Sequence, residues 1–362
     1  MTENTVKIEQ TSGKVQKTIK AKSFDMLSSA LATAIFIVLQ LFVDVIMENL
    51  PEFMANSFTI TFLLSLLVEG IFFFAALSVA KLQQIDLYEA TDVKKPINGK
   101  TILICLAIAI ISLFAFSPLS NVFVYSLQKL GYTSELSNIS IPNFFAYFVY
   151  LILVCVSPAF FEEFLFRGVI LNGLKKYGKH MAVFVSAFLF MIMHGGPDQT
   201  IHQFILGIIY GYVFIETRSL WATILMHFFN NFYAITVLFI SSLSGVVSET
   251  TEVLPTWQEL GTSLAVGLVM AAIGGYLIFL LIRAIKKTKE TKKTIPAELL
   301  EGEMTEEKIN ELKELVKEEK KEENEEKKKV EPENKKRIIL LFVTSMVYLV
   351  AIWVLTLIDG LI

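Results

Sequence analysis

Cysteine and histidine are scarce in this chain: two and four, respectively, among 362 residues. Cys105 and Cys155 each lie in an apolar run at neither disulfide nor metal spacing. They read as small buried hydrophobes, and a disulfide framework or thiolate metal site is set aside. The chain has no His-Glu-x-x-His. It also lacks a basic patch interleaved with aromatics, so nucleic acid is not an expected partner. No clear small-residue cleavage site follows the polar N-terminal stretch, and the first apolar run is expected to be an uncleaved span. Charge is sparse over most of the chain. Of 32 Lys and Arg, 17 fall between residues 283 and 337, as do 16 of 35 Asp and Glu, and the net charge is only −3.

What remains is strongly apolar, with 54% hydrophobic residues and 30 Phe, well above the soluble average. The chain reads as an all-α polytopic membrane protein. Runs of roughly 20 apolar residues predict about nine transmembrane helices near residues 25–47, 57–80, 101–125, 143–170, 181–196, 200–216, 220–242, 262–285 and 338–360. The fifth and sixth are short enough to be tilted or partly re-entrant. Loops rich in Lys and Arg, such as those holding Lys94 and Lys95 or Lys175 and Lys176, alternate with loops that have few or none. This alternation places the N-terminus in the cytoplasm and the C-terminus outside.

The expected organisation is a cytoplasmic polar tail over 1–24, N-terminal transmembrane helices over 25–139 and a core over 140–242. An eighth span with its preceding external loop follows over 243–285. A charged cytoplasmic insertion covers 286–337, and a last transmembrane helix covers 338–362. The Lys/Glu-rich composition of 286–337 is that of a solvated tether.

Three segments inside apolar runs carry chemistry: Glu162-Glu163-x-x-x-Arg167, Phe190-x-x-x-His194 and His227-x-x-x-Asn231. Ionisable groups at membrane depth are costly and mark functional sites by default. Residues four apart share a helix face, so Glu163 and Arg167 are expected to form an ion pair. Glu162 is rotated about 100° away and has no local cation, which suits a group that takes up and returns a proton. Pro158, one turn earlier, is placed to kink the helix and free carbonyls. His227 and Asn231 stack on one face and can converge on a single developing oxyanion, while His194 is placed to share a water with Glu162. His180 and His202, at span ends, read as interfacial. Asp44 and Glu69 receive no role, and Gly207 and Gly211 read as a close helix contact.

In their order and spacing these motifs resemble the CPBP family: type II CAAX prenyl endopeptidases and bacteriocin-processing or self-immunity (Abi-like) membrane proteins. Thr217-Arg218-Ser219-Leu220-Trp221 adds to the resemblance, which covers about residues 140–240. It implies a glutamate-dependent intramembrane endopeptidase acting on a membrane-associated peptide or protein in the lipid bilayer of the cell membrane. Glu162 and His194 would activate water, His227 and Asn231 would hold the oxyanion, and Glu163 and Arg167 would support them. No cofactor is expected. The alternative is zinc held by Glu162, His194 and His227. Two other classes compete with the protease: a non-catalytic self-immunity or binding protein on the same scaffold, and a transporter using Glu162 and the histidines as a proton relay. The filled motif positions favour the enzyme over the binder, and no convincing internal repeat supports the transporter.

Overall fold

The computed structural model describes residues 7–11, 14–18, 22–55, 57–133, 141–244, 254–293 and 332–361. A short antiparallel hairpin, β1 (Lys7–Thr11) and β2 (Lys14–Thr18), precedes the helices. The principal helices are α1 (Met26–Glu48), α2 (Phe58–Gln83), α3 (Gly99–Lys129), α4 (Phe144–Tyr177), α5 (Lys179–Ile192), α6 (Thr200–Thr217), α7 (Leu220–Leu243), α8 (Trp257–Lys293) and α9 (Pro332–Asp359). Most of the charged segment predicted over 286–337, and much of the loop predicted before the eighth span, lie outside the described residues.

Helix starts are set by short polar side chains that satisfy the first free N–H groups. Asp25 accepts from Ser28 N at 2.9 Å while Ser28 Oγ accepts from Asp25 N at 2.9 Å, a reciprocal cap on α1. Asn98 and Asn143 cap α3 and α4 in the same way, each accepting from an N–H three residues on. Between these caps the side chains are apolar on most faces, as a lipid-facing helix requires. Val38, Phe42, Phe74, Leu103 and Phe114 all point outward.

Each predicted span has its helix, but the lengths do not support nine crossings. Among the described residues, seven helices are long and apolar enough to cross a bilayer: α1, α2, α3, α4, α7, α8 and α9. Helix α5 has 14 residues and is about 21 Å long, well short of a hydrocarbon core of roughly 30 Å. In α6, of 18 residues, His202, Gln203 and Glu216 dilute the apolar run. Because the two are consecutive, treating them as a pair that enters and leaves on one face keeps the parity of all other spans.

Contacts between linkers define the two faces of the bundle. On one face, Ser28 Oγ reaches Gln83 Oε1 at 2.6 Å, Asn172 Nδ2 donates to Ala90 O at 3.1 Å, and Arg218 meets Asp92 at 2.9 Å. On the opposite face, Ile141 N donates to Ser242 Oγ at 3.1 Å and Thr133 N to Gly360 O at 2.9 Å. The turn between α5 and α6 reaches neither. Thr200 Oγ1 accepts from Trp353 Nε1 at 3.1 Å, and Trp353 lies about 10 Å of helix before Gly360. The α5–α6 hairpin therefore starts at the first face and turns inside the bundle. Its helices are nearly in backbone contact: a Cβ on Gly207 would lie 2.8 Å from Ala187 Cα, and one on Gly211 would lie 3.0 Å from a Val183 methyl. This is the close packing that the glycine spacing predicted.

Helix α4 crosses through the centre and is irregular. Two π-helical segments, Leu151–Val156 and Phe164–Leu171, flank the α-helical Ser157–Glu163. Such π-bulges occur mostly as local insertions, frequently at functional sites. Pro158 contributes no N–H to this helix. The carbonyl four residues before it, Val154 O, accepts from Asn231 Nδ2 of α7 at 2.7 Å. Helix α2 lies alongside α4 and runs parallel to it, with ring contacts pairing Phe58 with Phe145 (5.6 Å) and Phe73 with Phe164 (5.3 Å). Cys105 and Cys155 are both free and buried, as expected of small core residues.

Candidate active site

The six motif residues come together from α4, the tip of the α5–α6 hairpin, and α7. Depth explains why they can meet. Glu163 lies nine residues before Asn172, which touches the first face, and His227 lies nine after Arg218, which touches the same face. Each is therefore about 13 Å of helix below that surface. His194 follows Ile192, the last residue of α5, so the shortness of that helix stops the imidazole within reach of α4.

Glu163 and Arg167 form the predicted pair, with Arg167 Nη1 donating to Glu163 Oε1 at 2.7 Å and both side chains fully buried. The same Oε1 lies 3.1 Å from His227 Nδ1, a link the sequence reading did not include. Arg167 is held from other sides as well. Nη2 donates to Gly207 O at 3.3 Å, and the guanidinium lies over the rings of Phe190 (4.4 Å) and Tyr210 (5.2 Å). The ring of Tyr210 also approaches that of His227, with centroids 5.8 Å apart. Glu163 is thus a structural centre that fixes α4, α6 and α7 to one another.

Glu162 faces elsewhere, as the helix geometry requires. Its Oε2 is buried and has no hydrogen-bond partner in the protein. The nearest basic atom is His194 Nε2, at 3.7 Å, too long for a direct hydrogen bond. His194 Nδ1 lies 2.5 Å from Phe190 O. A carbonyl can only accept, so Nδ1 carries the proton and Nε2 of the neutral ring presents a lone pair toward Glu162. On α7, Asn231 spends one N–H on Val154 O and keeps a second, while its Oδ1 accepts from Asn230 Nδ2 at 3.1 Å.

His180 stands at the surface, 2.6 Å from the Tyr212 hydroxyl, as its span-end position suggested. His202 does not fit the interfacial reading. It is half-buried in the first turn of α6, on the side of Asn230 and His227. The first turn of α6 starts at the inner tip of the hairpin, not at a membrane surface, and this displaces His202 into the site. Asn230, Tyr210 and Glu69 were likewise missed. Of these, Glu69 had a usable signal, being the one carboxylate inside the long apolar run of α2. Asp44 is exposed near the end of α1, where it accepts from Gln40 Nε2 at 2.8 Å.

Glu162, His194 and His227 are the donors that a zinc site would use here. Among the described residues, no three His, Cys, Asp or Glu side chains gather closely enough to hold a metal ion. Glu162 with His194, and Glu163 with His227, form two separate pairs.

Residues 144–233 match the family described as type II CAAX prenyl endopeptidase, Rce1-like. The matched stretch begins with α4 and ends two residues beyond Asn231, so it holds all six motif residues. No curated protein and no solved structure matches the chain.

Proposed function

With an Rce1-like segment at the centre of a multi-pass bundle, we propose that this protein is an intramembrane endopeptidase that hydrolyses a peptide bond in a membrane-associated peptide or protein. CAAX-type processing and processing of a bacteriocin or signal-type peptide both lie within this chemistry. The observation that carries the reading is the contrast between adjacent glutamates. Glu163 is engaged by Arg167 and His227, whereas Glu162 is buried without a protein partner and faces the unprotonated nitrogen of His194 across 3.7 Å.

A water hydrogen-bonded to both Glu162 and His194 would be oriented and made nucleophilic. Its oxygen attacks the scissile carbonyl carbon while Glu162 takes the proton. The carbonyl oxygen becomes an oxyanion, to which the spare Asn231 N–H and His227 Nε2 on α7 would donate. His227 already donates through Nδ1 to Glu163. It can therefore donate through Nε2 only as an imidazolium, with Glu163 as its counter-ion. Collapse of the intermediate breaks the C–N bond, and the proton held by Glu162 passes to the leaving nitrogen. The products are one free carboxyl and one free amine. No step is routed through a metal.

Purified wild type and Glu162→Gln, compared on a membrane-anchored reporter peptide with and without a chelator, test the reading. Turnover by wild type and a loss of at least about a hundredfold in the variant are expected. Equal turnover by the two would overturn it. Biological activity retained by Glu162→Gln would favour the non-catalytic scaffold.

A further inference from the structure

Glu69 is the only acidic residue of α2, which is otherwise almost wholly apolar between Phe58 and Gln83. Its Oε2 is buried without a hydrogen-bond partner, as is Glu162 Oε2. The helix face that carries Glu69 is the face turned to α4. Phe73, one turn on and on the same side, packs its ring against those of Phe161 and Phe164, at 5.7 and 5.3 Å, on either side of Glu162. Phe72, three residues on, meets the Phe166 ring at 5.8 Å, so the face of α2 that carries Glu69 covers the turn of α4 that holds Glu162. Among the described residues packed against α2, Cys155 of α4 is a buried thiol and Tyr88 an exposed phenol beside Phe164. Asp44, Glu48 and Glu52 are exposed near one end of the helix, and Glu89 is exposed beyond the other. On α4, Glu163 and Arg167 are occupied with each other.

We propose that Glu69 is a third carboxyl of the site, sharing one proton with Glu162 across the α2–α4 contact and so positioning it for proton transfer. This rests on the endopeptidase reading above. Two carboxyl groups in an apolar setting cannot both ionise cheaply, so the pair titrates as a unit. Glu69 touches neither water nor substrate in this account. It acts through Glu162, setting its orientation and the pH at which it becomes a base. One proton cycles between the pair, and none is gained or lost over a turnover.

The test is the pH dependence of kcat/KM for cleavage of a membrane-anchored reporter peptide by wild type, Glu69→Gln, Glu69→Leu and Glu69→Asp. The working pair carries one proton, so the acidic limb marks loss of the first proton from the fully protonated pair, a loss that sharing the second proton favours. Without Glu69, Glu162 must give up its proton alone in an apolar setting, so the acidic limb should move up by about one unit or more in Glu69→Leu and in the same direction in Glu69→Gln. Glu69→Asp should hold the limb near its wild-type position. If Glu69→Gln folds poorly, Glu69→Leu supplies the same readout, because leucine suits an apolar helix. A limb that stays in place in either folded variant, whatever happens to kcat or thermal stability, overturns the proposal and leaves Glu69 a structural residue. Failure of the endopeptidase reading itself would show differently, as no cleavage by wild type or as full cleavage by Glu162→Gln.

Discussion

Adjacent glutamates should respond in opposite ways to one substitution. Glu163→Gln keeps the shape of the side chain but removes the negative charge that Arg167 meets at 2.7 Å and His227 at 3.1 Å. Gly207 O and the Phe190 and Tyr210 rings still touch the guanidinium, yet none supplies a counter-charge. Breaking a buried ion pair by removing one partner destabilises by about 3–5 kcal/mol. That is a large part of the 5–15 kcal/mol by which ordinary domains are stable. Glu162→Gln removes a buried carboxyl that no cation pairs with, so its unfolding midpoint should match or slightly exceed that of wild type. Turnover should nevertheless fall by at least about a hundredfold. The double variant Glu163→Gln/Arg167→Met removes both charges and should be less unstable than the two singles added, with a coupling of about 0.5–3 kcal/mol. Thermal or denaturant unfolding in detergent, measured beside cleavage of a membrane-anchored reporter, separates the outcomes. Equal unfolding midpoints for wild type and Glu163→Gln, or equal destabilisation by the two glutamate substitutions, would refute the assignment of structural and chemical roles.

Truncation of His227 or Asn231 to Ala should lower the rate by roughly 10²–10³ with little change in substrate binding, as read from kcat and KM separately. Gly207→Ile should force α5 from α6, because even a Cβ would lie 2.8 Å from Ala187 Cα. Overpacking of about 1–3 kcal/mol and lost activity should appear together in unfolding and cleavage assays. Deletion within 294–331 that keeps a short basic linker should retain turnover in detergent, and complete loss in a folded protein would assign that segment a part in the site. Single cysteines at positions 94, 176 and 218, in a background lacking Cys105 and Cys155, should resist an impermeant reagent applied from outside, and strong labelling there would reverse the topology.

The membrane class, the helix positions and the pairing of Glu163 with Arg167 were legible because each depends on local pattern. Apolar run length marks a span, and a four-residue spacing fixes a helix face. The crossing count was less legible. The short runs at 181–196 and 200–216 differ from true spans by only a few residues, and Trp353, far along the chain, shows where their turn lies. The Glu163–His227 contact and the place of His202 depend on packing between helices. No spacing within one segment encodes such contacts. Pro158 is an intermediate case: its missing N–H is evident in the sequence, but the use of Val154 O by Asn231 requires α7 to lie against that turn.

A hydrolase inside a bilayer must bring water to its site, and irregular backbone at membrane depth survives only where protein or a water-filled cavity satisfies it. Two such irregularities meet here. Helix α4 departs from α-helical geometry immediately before and after Ser157–Glu163. Beside it, the α5–α6 hairpin turns inside the bundle through His194, Gly195 and Gly196, with Gly195 at φ 71°. A full-length fifth span would have carried His194 past Glu162 and replaced this turn with lipid-facing helix. The shortness of α5 therefore has two consequences that belong together. It stops the imidazole 3.7 Å from the free carboxyl oxygen, and it leaves a polar turn at the depth where water is needed. Lengthening α5 by one turn, with four alanines inserted after Ala187, should move His194 by about 6 Å and also close that turn. Cleavage should then be abolished even though every motif residue is retained. Full turnover by the inserted variant would show that the hairpin does not set the position of His194.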